Sequence, residues 1–163
     1  MKLILMIGVP GSGKSTKAKK LSQYVHEADT YPNLYRNGKI QFHLLKLAHE
    51  SCIQNVESDM KNKIPLIIQS NTNLNKKDLF PYLHLAIHYH YQVEFMLPSY
   101  GLLHFHNTDS YELQHKILKS IRSTGDKLIP SDVMDKMIHS FEIQKGFIES
   151  VSLSSINEII HKL

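Results

Sequence analysis

Cysteine is almost missing from this chain. Cys52 stands alone among 163 residues, so no internal disulfide can form and any zinc site would lack cysteine partners. Long apolar runs are missing too, and none approaches the length that spans a bilayer. The stretch Leu3-Ile4-Leu5-Met6-Ile7 after Lys2 has the look of a signal peptide, but it is too short and leads straight into a glycine-rich loop. Nothing repeats, no tract is of low complexity and no linker-like composition divides the chain, so residues 1–163 are expected to form one domain. Charge has no strong sign. The net value is +4 with a pI near 9.0, compatible with a phosphate-rich partner without requiring one. Together these point to a soluble, cytoplasmic protein with no membrane contact. Its oligomeric state is not legible.

What is present is concentrated near the start. Gly8-Val9-Pro10-Gly11-Ser12-Gly13-Lys14-Ser15-Thr16 fits G-x-x-x-x-G-K-[ST], between a short apolar strand and a stretch with Ala18 and Leu21 at helical spacing. Glycines let successive backbone N–H groups point at phosphate oxygens, and the following helix adds its positive end. Gly11, Ser12, Gly13, Lys14, Ser15 and Thr16 are therefore the expected nucleotide-binding set. Lys14 would reach the β- and γ-phosphates, and the Ser15 hydroxyl would ligate Mg²⁺ beside ATP. The bland alternative is a Gly/Ser turn between strand and helix.

Further on, apolar patterning predicts strands over residues 24–28, 64–68, 92–97 and 147–153. Helices are predicted over 40–62, from Asn75, from Asp109, from Ser131 to a cap near Gly146, and from Ser155 to the end. Pro81 should kink the Asn75 helix or delay its start. Residues 30–39, with Pro32, Asn33, Asn37 and Gly38, read as irregular. Alternating strands and helices imply an α/β fold: a three-layer phosphate-loop NTPase sandwich with a parallel sheet of about five strands flanked by helices. Its ligand would lie at the sheet's carboxyl edge.

Three strand ends converge there. The second carries Asp29, with Glu27 two residues back on the same strand face, and a carboxylate here could take a proton or help hold Mg²⁺. Capping the turn is the plain alternative for Asp29. The third strand lacks the acid that many phosphate-loop proteins place there. It ends in Ser70 and Asn71, and Asn71, Thr72 and Asn73 suit hydrogen bonds to a substrate or to the metal's waters, or an ordinary turn before a helix.

Several segments together resemble the polynucleotide 5′-hydroxyl kinase group, which includes phage polynucleotide kinase and kinase-like domains of ubiquitin-ligase-binding proteins. They are the phosphate loop, Ala28-Asp29-Thr30-Tyr31, Gly38-Lys39-Ile40-Gln41-Phe42 with Ala48-His49-Glu50, and above all Ile67-Ile68-Gln69-Ser70-Asn71-Thr72-Asn73-Leu74-Asn75. The likeness runs from Met1 to about Glu142. It implies transfer of the ATP γ-phosphoryl group to a hydroxyl, on a polynucleotide 5′ end or a smaller nucleotide-like acceptor. Asp29 would be the general base, and Arg36, Asn71, Thr72 and Asn73 would lie toward the acceptor. A helical lid around residues 109–130 would supply charge from Arg122 or Lys119. The sequence departs from the group at Thr30, Pro32 and Thr124, so a nucleotide-binding interaction module without transfer is the competing expectation. An ATPase or GTPase switch is a third.

Other patterns have plain explanations. Asn75-Lys76-Lys77-Asp78 mimics a guanine-selecting motif, but it follows the wrong strand and reads as a helix cap. His84 and His88, His88 and His90, and His104 and His106 lack a third convergent ligand. Lys61, Lys63, Lys76 and Lys77 suit a solvated face or a nucleic-acid backbone, and Tyr31 and Tyr35 a stacked base.

Overall fold

The computed structural model describes residues 1–97, 118–120, 123, 127–151 and 154–163. Four parallel strands make the main sheet: β1 (Lys2–Met6), β2 (Val25–His26), β5 (Leu66–Gln69) and β6 (Gln92–Met96). Their order is β2-β5-β1-β6. β1 is central, pairing Leu5 with Gln69 on one side and Phe95 on the other. Its burial on both faces is why it reads as an unbroken apolar run.

Helix α1 (Lys14–Leu21) covers one face, where Ala18 packs on Ile4, Met6 and Ile68. The other face carries α2 (Phe42–Lys61) and α3 (Lys76–His88), whose Ala48, Cys52, Val56, Leu79 and Leu83 share a core with Leu3, Leu5 and Ile67. α4 (Ser131–Val151) and α5 (Ile156–Lys162) close the same side through Ile148, Val151 and Ile159. The three-layer α/β sandwich is thus as expected.

Both long helices stop without glycine. Lys63 and His90 take φ of 56° and 59°, and Ile64 and Tyr91 return N–H bonds to the Asp59 and Ala86 carbonyls. These left-handed turns satisfy the last carbonyls and aim the chain into β5 and β6. Asp78 accepts from the Asn75 N–H at 3.0 Å, so the guanine-like motif is a helix cap. Pro81 lies inside α3 rather than delaying it.

Three expectations need correction. Residues 147–153 do not form a fifth strand; α4 continues to Val151, and residues 152–153 lie outside the described set. The buried series Met134, Ile138, Gln144, Ile148, Val151 keeps a helical period straight through Gly146, which meets nothing where a Cβ would stand. β2 spans only Val25–His26, because a single 3₁₀ turn at Ala28–Thr30 breaks off the strand. The segment taken as irregular contains a hairpin, β3 (Tyr35–Arg36) with β4 (Lys39–Ile40). Asn37 and Gly38 turn it with φ of 49° and 75°, the double positive φ that an Asn-Gly pair supplies.

Between β5, α2 and α3, the Asn71 amide approaches both the Cys52 sulfur (3.6 Å) and the Tyr82 hydroxyl (3.5 Å). Burial pushes the Cys52 thiol up, opposed by its hydrogen bonds to Tyr82 and Asn71 and reinforced by the Glu27 charge. Burial likewise drives Tyr82 far above the ordinary phenol range. The unfolded chain therefore releases these protons first as pH rises, and stability falls. Denaturant titrations should show the folded state at full strength below about pH 9 and weakening above it. A Cys52→Ala/Tyr82→Phe variant should weaken less steeply, by up to about 1.4 kcal/mol per pH unit for each group removed. An unchanged slope would show that this cluster does not set the alkaline limit.

Candidate functional site

The phosphate loop leaves β1 at the sheet's carboxyl edge and returns as α1. Gly11 and Gly13 take φ of 84° and 85°. A Cβ on Gly13 would meet nothing within 4 Å, so backbone sign rather than space demands glycine there. α1 has no acidic residue in its first turn, leaving its positive end uncompensated from within. Lys14 is buried, and its ammonium donates to the Val9 carbonyl at 2.9 Å, folded back over the loop. Ser15 is half-buried and Thr16 exposed. Val9 packs with Leu74, Leu118, Met134 and Ile138, so α4 walls the loop's outer side.

The residues after β5 hold that loop in place. Asn73 is 2% exposed at φ 49°, and its amide donates to the Met6 carbonyl (2.7 Å) and to Gln69 Oε1. Gln69 donates back to Asn73 Oδ1 at 3.3 Å, and the Gly8 N–H reaches the Thr72 carbonyl at 3.0 Å. Asn71 Oδ1 accepts from the Ala28 N–H at 2.7 Å, fixing the 3₁₀ turn. Asn71, Thr72 and Asn73 also line a pocket with His49, Ile53 and Tyr82, but the polar groups of both asparagines are engaged within the chain.

The 3₁₀ turn parts two carboxylates that strand alternation would have put on one face. Asp29 points out at the mouth, its side chain 48% exposed. Its Oδ2 accepts from Lys127 Nζ at 2.8 Å and its Oδ1 from the Tyr35 hydroxyl at 3.2 Å. Lys127 Nζ also sits 5.1 Å from the Tyr35 ring centre, and the Leu128 N–H donates to Gly38 at 2.7 Å. Glu27 turns inward instead, with Oε1 buried and unpartnered. Ser12 Oγ and Ser70 Oγ are the same, so three of the four such atoms among the described residues belong to this edge.

Arg36 is exposed on the hairpin at the mouth. Lys119 ion-pairs with Asp135 of α4, while Arg122 and most of the expected lid lie outside the described residues. So do Thr124 and the His104/His106 pair. Lys61 pairs with Glu57 at 2.9 Å, and Lys76 lies 4.4 Å over the Phe147 ring, so half of the supposed basic face serves internal contacts. His84 is exposed and stacks on Phe80.

The family described as an AAA domain matches residues 3–143. The chain belongs to that family. The match takes in the phosphate loop, both carboxylates and the Asn71–Asn73 segment. Among curated proteins, the AAA domain chain is 36% identical to human NEDD4-binding protein 2 over 104 residues, 60% of this chain but 6% of that protein. Among solved structures it is similar to Chaetomium thermophilum Kti12 in complex with ADP-AlF3, with TM-score 0.49 and 14% identity over 85% of this chain and 79% of that one. It is also similar to APE1195, with TM-score 0.45 and 14% identity over 92% and 95% of the two chains.

Lys127 carries no sequence signal for its place at Asp29, because spacing alone does not announce a contact across 98 positions. Asn37-Gly38, by contrast, is a hairpin signal that the sequence does carry.

The Asn73 bonds make a direct prediction. Asn73→Ala strands the Met6 carbonyl and the Gln69 amide, at about 2–4 kcal/mol for two buried groups. Calorimetry should show Tm lower by roughly 5–15 °C. Asn73→Gly should recover about 1 kcal/mol of that loss, the part due to positive φ. A melting point within a degree of the parent chain for Asn73→Ala would show that the clamp holds nothing.

Proposed function

We propose that this chain binds ATP with Mg²⁺ and transfers the γ-phosphoryl group to a hydroxyl, on a polynucleotide 5′ end or a smaller nucleotide-like acceptor. The observation that carries the proposal is the pairing of features at one edge. A phosphate loop has its positive helix end uncompensated, and a carboxylate, Asp29, stands exposed at the adjoining mouth. The resemblance to polynucleotide 5′-hydroxyl kinases supports the choice of acceptor class.

Backbone N–H groups of Gly11, Ser12 and Gly13 would hold the β-phosphate, and Lys14 would swing from the Val9 carbonyl to the β- and γ-phosphates. Ser15 would hold the metal, whose part is to neutralise charge on the β- and γ-oxygens. The acceptor oxygen bonds to the γ-phosphorus and its proton passes to Asp29. The bond from that phosphorus to the β–γ bridging oxygen breaks, with the electron pair leaving on ADP. Asp29 must first exchange Lys127 for the acceptor. A half-exposed pair is worth no more than about 1 kcal/mol, so the exchange costs less than tenfold in affinity. Arg36, Tyr31 and Tyr35 stand on the acceptor side, and Arg122 or Lys119 would bring lid charge.

A second reading is favoured by one observation. Both oxygens of Asp29 are engaged, by Tyr35 and Lys127, as befits a nucleotide-binding interaction module that transfers nothing. Incubation with γ-labelled ATP and a panel of 5′-hydroxyl DNA, RNA, nucleosides and small alcohols separates the two. The kinase labels at least one acceptor. Asp29→Asn should then lose about 10²–10⁴ in rate with ATP affinity kept, while Lys14→Ala loses ATP binding itself. No labelled acceptor, with ATP still stabilising the fold by about 2.7 kcal/mol at a hundred times Kd, decides for the module.

A further inference from the structure

We infer that Glu27 supplies, from the second strand of the sheet, the metal-site carboxylate that the third strand lacks, and that Glu27, Ser70 and Ser15 together form the divalent-cation pocket. The inference rests on the nucleotide-binding reading above and assigns its metal site.

Placement comes from strand register. β2 pairs with β5 with His26 opposite Gln69, and the Ser70 N–H donates to the His26 carbonyl at 2.9 Å. Glu27 is still extended, at φ −135° and ψ 131°, so it falls beside Ser70 about 4.8 Å away across the ladder. Side-chain direction comes from alternation. Val25 and Ile68 face α1, where they pack with Ile4, Met6 and Ala18. Glu27 and Ser70, each two positions further on, face the same way. Ser15, the second residue of α1 and half-buried, lies one turn before Ala18, whose side faces the sheet. The three oxygen-bearing side chains therefore converge where the first turn of α1 overhangs the carboxyl edge.

Three buried oxygens at this edge have no hydrogen-bond partner. Ser70 is 5% exposed with Oγ unpartnered, and Glu27 Oε1 is buried and unpartnered as well. Ser12, 4% exposed, adds a third orphaned oxygen from the loop itself. Buried groups left unmatched inside a protein need an external partner, and a carboxylate beside hydroxyls calls for a cation. The donors are all hard oxygens, which suits Mg²⁺ held through one carboxylate, a hydroxyl, waters and phosphate. Asp29 is not the alternative, because the 3₁₀ turn aims it out to Lys127.

Calorimetry of a slowly hydrolysed ATP analogue, ATPγS, in EDTA and in Mn²⁺ tests this without any turnover. The parent chain should bind the analogue at least tenfold more tightly with Mn²⁺ than without. Glu27→Gln should keep the EDTA affinity within twofold and lose most of the Mn²⁺ gain, with Ser70→Asp in the same chain restoring it. Ser70→Asp alone sets a second carboxylate in the pocket and should tighten Mn²⁺ on the nucleotide complex, as read by the Mn²⁺ paramagnetic resonance spectrum. That arm decides the matter if Glu27→Gln does not fold. A full Mn²⁺ gain in Glu27→Gln, or an Mn²⁺ affinity unmoved by Ser70→Asp, overturns the assignment while leaving nucleotide binding intact. Failure of the parent chain to bind ATPγS in either buffer overturns both.

Discussion

The amide of Asn73 ties the end of β5 to the end of β1, and the shape of the phosphate loop depends on that tie. β1 stops at Met6, whose carbonyl would otherwise have no ladder partner. The Asn73 side chain supplies one, and the Thr72 carbonyl takes the N–H of Gly8 at the loop's first residue. The loop is thereby gripped before it turns. Its remaining freedom is absorbed by Gly11 and Gly13, whose positive φ no other residue type adopts as readily. A loop held this way meets phosphate with its N–H groups already gathered, which is what electrostatic binding of a polyanion needs.

Most of the sandwich was legible in the sequence because its signals are local. An apolar run followed by a glycine-rich loop and a lysine locates β1 and α1, and helical periodicity locates α2 closely. The failures have a common cause. Gly146 reads as a helix end because glycine often is one, yet the burial series through Ile148 and Val151 overrides it. Asn37 and Gly38 turn a hairpin where the composition of residues 30–39 reads as irregular. At the site, spacing names residues but not the partners of their side chains. Asn71 and Asn73 were placed at the right edge, but their amides are spent on backbone that only the folded chain brings near.

The one-turn 3₁₀ segment at Ala28–Thr30 is a small departure with a large consequence. Had β2 run on, Glu27 and Asp29 would share a face and compete for one role. The turn, fixed by Asn71 through the Ala28 N–H, sends them to different surroundings. Glu27 keeps one oxygen buried and unpartnered, while Asp29 stands half-exposed between a phenol and an ammonium. The two roles proposed above, holding a cation and taking a proton, would need such different surroundings.

Energetics divide the site in the same way. The floor is built of buried bonds, among them Asn73 to Met6 and Gly8 to Thr72, and losing either leaves a desolvated group at about 1–3 kcal/mol each. At the mouth, Asp29 meets Lys127 and Tyr35 half-exposed to solvent, worth no more than about 1 kcal/mol a pair. The floor therefore keeps one shape whatever is bound, and the mouth yields to whatever displaces Lys127. That asymmetry would suit the proposed reaction, with a common polyphosphate donor below and a variable acceptor above. In the hairpin, and in the segment docked on it through Leu128 and Gly38, a change of sequence disturbs the phosphate loop least.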